Sequence, residues 1–95
     1  MIYFDNSSNL SIIRHIVECL DVDNDMVKAV ACFDLGEFAK FFHHGKELLN
    51  GMDVKEKMAK LMANPKVDAS VKKEAITCYQ KLLMESWSQQ ITLVN

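Results

Sequence analysis

Four groups of residues in this chain have types and spacing that could do chemistry. Asp21-Val22-Asp23-Asn24-Asp25 resembles the opening of a calcium loop. Such a loop needs Gly at its sixth position, for the sharp turn, and a bidentate Glu at its twelfth. Those positions here are Met26 and Cys32, so the segment reads as a polar turn leading into a helix cap. His43 and His44 could ligate a metal, but adjacent side chains diverge, and zinc needs several convergent ligands at short spacing. They read as loop residues, and no metal or other cofactor is expected. Asp34 and Glu37 share one helix face and could split acid and base roles. No nucleophile or phosphate-cradling loop accompanies them, so they read as a solvated helix edge with Lys40 as the expected partner. Cys19, Cys32 and Cys78 are odd in number and contain no CxxC pair. Each lies in an apolar helical pattern and reads as a small buried hydrophobe.

The elements that must position these residues are helices. No useful length alternates strictly, whereas four segments repeat with helical spacing. The first runs from about Asn9 to Leu20, with Ser8 or Asn9 as cap. Leu10, Ile13, Ile16, Val17 and Leu20 form its stripe. The second runs from about Met26 to Phe42, capped by Asn24 or Asp25. Twelve of its seventeen residues are apolar, which predicts a central helix contacted from several sides. Gly36 inside it costs about 1 kcal/mol relative to Ala, so a neighbouring helix is expected to approach closely there.

The third segment is broken. Lys46-Glu47-Leu48-Leu49 makes one turn and Asn50-Gly51 stops it. Asp53-Val54-Lys55-Glu56 then has the form of a capping box. Val54, Met58, Leu61 and Met62 continue the stripe until Asn64-Pro65 ends it. The fourth helix is expected from near Ser70 to at least Trp87, with a frayed tail at 88–95. Met52, Met58, Met62 and Met84 read as core. Trp87 either caps the core or anchors a partner.

The 95 residues suffice for one all-α domain of four to five stacked helices. The net charge of −2 lacks the basic excess that phosphate binding requires, so nucleic acid is not an expected partner. Nothing approaches the ~18 consecutive apolar residues of a membrane span, so no insertion is expected. The opening Met1-Ile2-Tyr3-Phe4-Asp5-Asn6 does not read as a secretory signal. Residues 1–50 carry eight acids and four bases, and residues 51–95 carry five acids and seven bases. The second half is a solvated face or a mildly basic surface for an acidic protein partner.

Ala29-Val30-Ala31-Cys32-Phe33-Asp34-Leu35-Gly36-Glu37-Phe38, then His43-His44-Gly45-Lys46, Ala63-Asn64, Val71-Lys72-Lys73-Glu74-Ala75 and Gln80-Lys81-Leu82-Leu83 follow one another in a suggestive order. This order resembles the C-terminal end of the H subunit of the vacuolar-type proton ATPase (V-ATPase), over about residues 5 to 90. That family has an Asp-(Ile/Leu)-Gly-Glu-(Tyr/Phe) core in an apolar helix and a Gly-Lys start to the next. Its turn before Gly-Lys usually contains Tyr-Pro and an Arg, where this chain has Phe42-His43-His44-Gly45.

The resemblance implies armadillo/HEAT-like stacked helices, here about two repeats. An apolar face on the first helix or its neighbours is then expected to be exposed, and self-association could follow through it. It also implies a non-catalytic regulatory piece, cytoplasmic and peripherally associated with vacuolar or endomembrane proton pumps. Its partners would be other pump subunits: the rotor and stator of the soluble sector and the large membrane-sector subunit. The expected contact residues are those of the turns and the last helix: His43, His44, Lys46, Asn50, Asp53, Lys66, Asp68 and Trp87. The competing readings are a generic helical-repeat module of another complex and a small metal protein or enzyme using His43 and His44.

Overall fold

The computed structural model describes residues 6–42 and 44–84. Five α-helices and one 3-10 turn account for most of them: α1 (Asn6–Glu18), the 3-10 turn Cys19–Asp21, α2 (Asp25–Phe41), α3 (Gly45–Gly51), α4 (Val54–Ala63) and α5 (Ala69–Leu83). No strand occurs among the described residues.

Helix α1 is already formed at Asn6, so the backbone of Ser8 and Asn9 lies within its first turn. First-turn N–H groups lack intrahelical acceptors, which makes short polar residues tolerable there. Ile13, Val17 and Leu20 are buried, as their spacing predicts. The chain then turns through the acidic segment into α2. The Asn24 side chain accepts a hydrogen bond from the Val27 N–H at 3.0 Å. Asn24 thereby fills the cap role, and the supposed calcium-loop segment serves as a helix start.

Two helix boundaries differ from the sequence expectation. Asn50-Gly51 does not stop α3, which includes both residues. The reversal falls instead at Asp53, which is left-handed with φ 61° and ψ 29° and makes no side-chain cap bond. A capping box needs an extended backbone at the cap, so that the carboxylate can reach back to the free N–H groups. A left-handed residue points it elsewhere, and Asp tolerates that conformation better than most. At the other end, α5 stops at Leu83 because Met84 is extended (φ −69°, ψ 146°), short of the expected Trp87. The Asp68 carboxylate caps the start of α5, accepting from the Ser70 N–H at 3.0 Å and its hydroxyl at 2.5 Å.

Helices α2 and α5 form the centre, and their register shows how they run. Glu74 acts on Cys32 electrostatically. A Cβ at Gly36 would lie 3.4 Å from Cys78 Cα and 3.2 Å from Lys81 Cδ. The Lys46 ammonium, just beyond α2, donates to the Met84 carbonyl. Contacts advance together along both helices, so the two are parallel. Parallel neighbours linked through intervening helices are the pattern of equivalent helices in stacked units, with α1–α2 as one unit and α3–α5 as the next. Gly36 is where they approach, as expected from its position. Leu35, Leu49, Val54, Met58, Val71, Cys32 and Cys78 are each fully enclosed and draw on every helix from α2 to α5.

The apolar character of α2 is not used on every side. Ala31, Cys32, Leu35, Gly36, Phe38 and Ala39 are buried. Met26, Val30, Phe33 and Phe41 remain 76%, 54%, 50% and 66% exposed. The expectation of contact from several sides holds, since α2 packs against α1, the 3-10 turn, α3 and α5, while one face stays open to solvent.

Candidate functional site

The sequence-derived contact residues fall into separate places. His44 and Lys46 lie at the α2–α3 corner, Asn50 and Asp53 at the α3–α4 turn, and Lys66 and Asp68 at the α4–α5 turn. His43 and Trp87 lie outside the described residues. Because α2 and α5 are parallel, the 44–46 corner sits at the C-terminal end of the pair and the 64–68 turn at its N-terminal end. Fifteen helical residues separate those ends, about 22 Å at 1.5 Å per residue. The structure therefore brings the candidates into two groups at opposite ends of a rigid helix pair.

Each turn is held by identifiable forces. His44 is left-handed at φ 66°, and its Nδ1 lies 3.1 Å from Glu47 Oε2. The Gly45 N–H donates to the Phe42 carbonyl at 2.9 Å. Lys46 is half-buried, and its ammonium is held by the Met84 carbonyl, so it ties α3 to the end of α5. Asn50, Asp53, Lys66 and Asp68 are exposed. The Asp68 carboxyl is lowered in pKa by the Ser70 hydroxyl and then by the Ser70 N–H, and stays charged at the positive end of α5. Lys57 meets Asp21 at 3.2 Å and fastens the acidic turn to α4. Part of the basic second half is thus neutralised within the fold.

The groups with chemical potential are occupied by structure. Burial, and secondarily Glu74, pushes the Cys32 thiol up to about 11. Burial, then Cys32, pushes the Cys78 thiol up to about 12, against a smaller opposing effect of Lys81. Such thiols carry almost no thiolate at neutral pH and are poor nucleophiles. Among the described residues, no three His, Cys, Asp or Glu side chains converge as a metal site. A hollow beside α1 is lined by Ser11, Ile12, Arg14, His15, Ile16 and Glu18, an open and solvated surface. No described helix is long and apolar enough to cross a membrane.

Glu37 pairs directly with Lys81 at 2.6 Å across the α2–α5 contact, while Lys40, the partner its spacing suggested, acts on it more weakly. The missing side chain at Gly36 lets the Lys81 stem lie across α2, with its ammonium also 5.6 Å from the Phe33 ring centre. Lys40 also stands 5.0 Å over the Phe41 ring. The bond from Lys81 holds the Glu37 carboxyl below its ordinary value of 4.5. A carboxyl lowered on folding stabilises the folded chain fully above its unfolded value, and loses that effect as pH falls through the lowered one. Glu37→Gln is therefore expected to be less stable than the parent at pH 7. The gap between them should shrink as pH falls below about 4.5. Urea unfolding at pH 7 and pH 3 checks this; a constant gap would mean that the ion pair contributes nothing.

The exposed residues on α2 answer the expectation of an open apolar face on the first helix or its neighbours. A helical projection carries the signal: Met26, Val30, Phe33 and Phe41 share one face, opposite Ala31, Leu35 and Phe38.

Comparison with known proteins places this geometry. The family model for the V-ATPase H subunit matches residues 2–87. The chain is 30% identical over 83 residues to the V-type proton ATPase H subunit of Drosophila melanogaster, covering 86% of this chain and 17% of that protein. It is 30% identical over 83 residues to a probable V-type proton ATPase H subunit of Caenorhabditis elegans, covering 86% and 18%. For the probable V-type proton ATPase H subunit of Oryza sativa subsp. japonica the figures are 30% over 78 residues, 81% and 17%. The chain thus spans less than a fifth of the length of these relatives. No solved structure matches it. A match over nearly the whole chain, together with the stacked helices around Asp34-Leu35-Gly36-Glu37, leads to one conclusion: this chain belongs to the family of V-ATPase H subunits, in the region of their C-terminal domain.

Proposed function

We propose that this chain is a non-catalytic regulatory piece of a V-type proton ATPase, able to bridge rotor and stator of the soluble sector and so couple or silence ATP hydrolysis. The observation that carries the reading is the family match over residues 2–87. The layout supports it. A bridge needs a stiff body with contact points set apart, and α2–α5 joins two groups of turn residues about 22 Å apart. His44 and Asn50 stand toward one end, and Lys66 and Asp68 at the other. The large membrane-sector subunit is the further partner in the assembled pump, with the chain on the cytoplasmic side and outside the bilayer.

The test adds the purified chain to a soluble ATPase sector stripped of its own H subunit and follows co-sedimentation and ATP hydrolysis together. Binding with slowed hydrolysis is the expected result. Binding at full hydrolysis rate would reduce the chain to a docking element. Failure of a folded chain to bind its cognate sector would leave a helical-repeat module of another complex as the surviving reading.

A further inference from the structure

The outer face of α5 carries a row with the spacing of a helix-packing seam. Lys73, Ile76, Gln80 and Leu83 follow at steps of three, four and three residues, and all four are exposed. At the helical turn they fall within about 80° of one another, on the side away from the buried Val71, Ala75, Cys78 and Leu82. Steps of three and four keep a row facing one partner helix, whose side chains seat between those of the row. The row runs for about 15 Å at the helical rise. Lys72 borders it. Neither Lys72 nor Lys73 forms an ion pair among the described residues, whereas Lys57 and Lys81 are held by Asp21 and Glu37. Glu74, the one acid of α5, lies on the other side and acts on Cys32. Asp68, at the helix start, is engaged by the Ser70 N–H and hydroxyl. The row therefore offers two apolar side chains and a basic N-terminal end, with no acid of α5 to balance it.

We infer that this row docks an acidic amphipathic helix of another protein, lying along α5 with aliphatic side chains around Ile76 and Leu83 and carboxylates against Lys72 and Lys73. Charge complementarity selects that occupant. A second copy of α5 does not fit. In parallel register it sets Lys73 against its own counterpart, and in antiparallel register it sets Lys73 against Leu83. Lys73 and Gln80, seven residues apart, hold one seam position, and Ile76 and Leu83 hold the other. Polar residues at one seam position fix the register of paired helices at a cost in stability. With two apolar contacts and two exposed bases, the complex is weak and sensitive to salt. The inference stands apart from the pump reading, because the row shares no residue with the turns at the ends of the helix pair.

Fluorescence anisotropy tests it, with the purified chain titrated into a labelled helical peptide of about five turns. The peptide carries leucines at alternating steps of three and four, flanked by glutamates. Saturable binding is expected at about 20 mM salt, weakening several-fold at about 150 mM. The double variant Lys72→Glu, Lys73→Glu should lower the affinity by about 10-fold or more, and Ile76→Glu by about 10-fold, with the helical circular dichroism retained. A peptide with lysine in place of each glutamate should bind the double variant and not the parent chain. Lys60→Glu, on the exposed side of α4, should leave binding unchanged. No saturable binding up to about 500 µM chain overturns the inference. So does binding indifferent to the double variant, or equal binding of the lysine peptide to the parent. Failure of the peptide together with co-sedimentation on phosphatidylserine vesicles would overturn it in favour of a membrane surface. The charge reversal involves side chains that pack against nothing in the core, so it remains decisive if Ile76→Glu fails to fold.

Discussion

Leu35→Ala is expected to lower the unfolding free energy by about 3–4 kcal/mol, within the range for truncating an enclosed leucine. Leu35 is wholly buried at the middle of α2, the helix packed against α1, α3 and α5. Removing three carbons there loses their transfer energy and leaves a cavity that parallel helices fixed at Gly36 cannot easily close. At 95 residues the whole domain is worth only about 5–14 kcal/mol. One substitution therefore takes a large share of it, and the melting midpoint should fall by about 12–25 °C. Leu83→Ala is the matched comparison. Leu83 is 57% exposed at the end of α5 and should change stability by less than about 0.5 kcal/mol. Chemical unfolding of both variants decides it. A cost below about 1 kcal/mol at Leu35 would contradict a central α2.

Gly45→Ala is expected to cost about 2 kcal/mol, although it places a better helix former in a helix. A Cβ at Gly45 would stand 2.6 Å from the Phe38 carbonyl oxygen and 3.3 Å from Ala39 Cα. Both obstacles are backbone of α2, so relief requires the α2–α3 corner to open. That corner also carries the Phe42 carbonyl bond to Gly45 and, through Lys46, the tie to Met84. Gly51→Ala gives the contrast. Nothing lies within 4 Å of a Cβ there, and its φ is not positive. It should stabilise the chain by about 0.5–1 kcal/mol by restricting the unfolded state. Equal effects at the two glycines would mean that the corner is not closed as described.

These two glycines show the difference between what can be read along a chain and what cannot. Local sequence suggests that Gly51, after Asn50, stops a helix, but it lies in α3, and the left-handed residues are His44, just before Gly45, and Asp53, two residues past Gly51. Gly45 is needed because α2 lies against it, a relation between residues of different elements. Gly36 was legible for the opposite reason. A glycine in the middle of a long apolar helix has few explanations other than a close neighbour, and Cys78 and Lys81 supply that neighbour.

Residue order and local spacing were enough for the all-α class, the stripes of α1 and α4, a cap at Asn24 or Asp25 and the stop at Asn64-Pro65. They also carried the ordered motifs that mark the family. Such features depend on interactions within about one helical turn, or on order alone, and both are written along the chain. The packed fold was needed to set α2 and α5 parallel and to bring Lys81 to Glu37 as its direct partner. It was needed, too, to hold Lys46 against the end of α5 and to leave one face of α2 open. Each of these joins residues far apart in sequence, and periodicity says which side of a helix is apolar without saying which apolar side is covered.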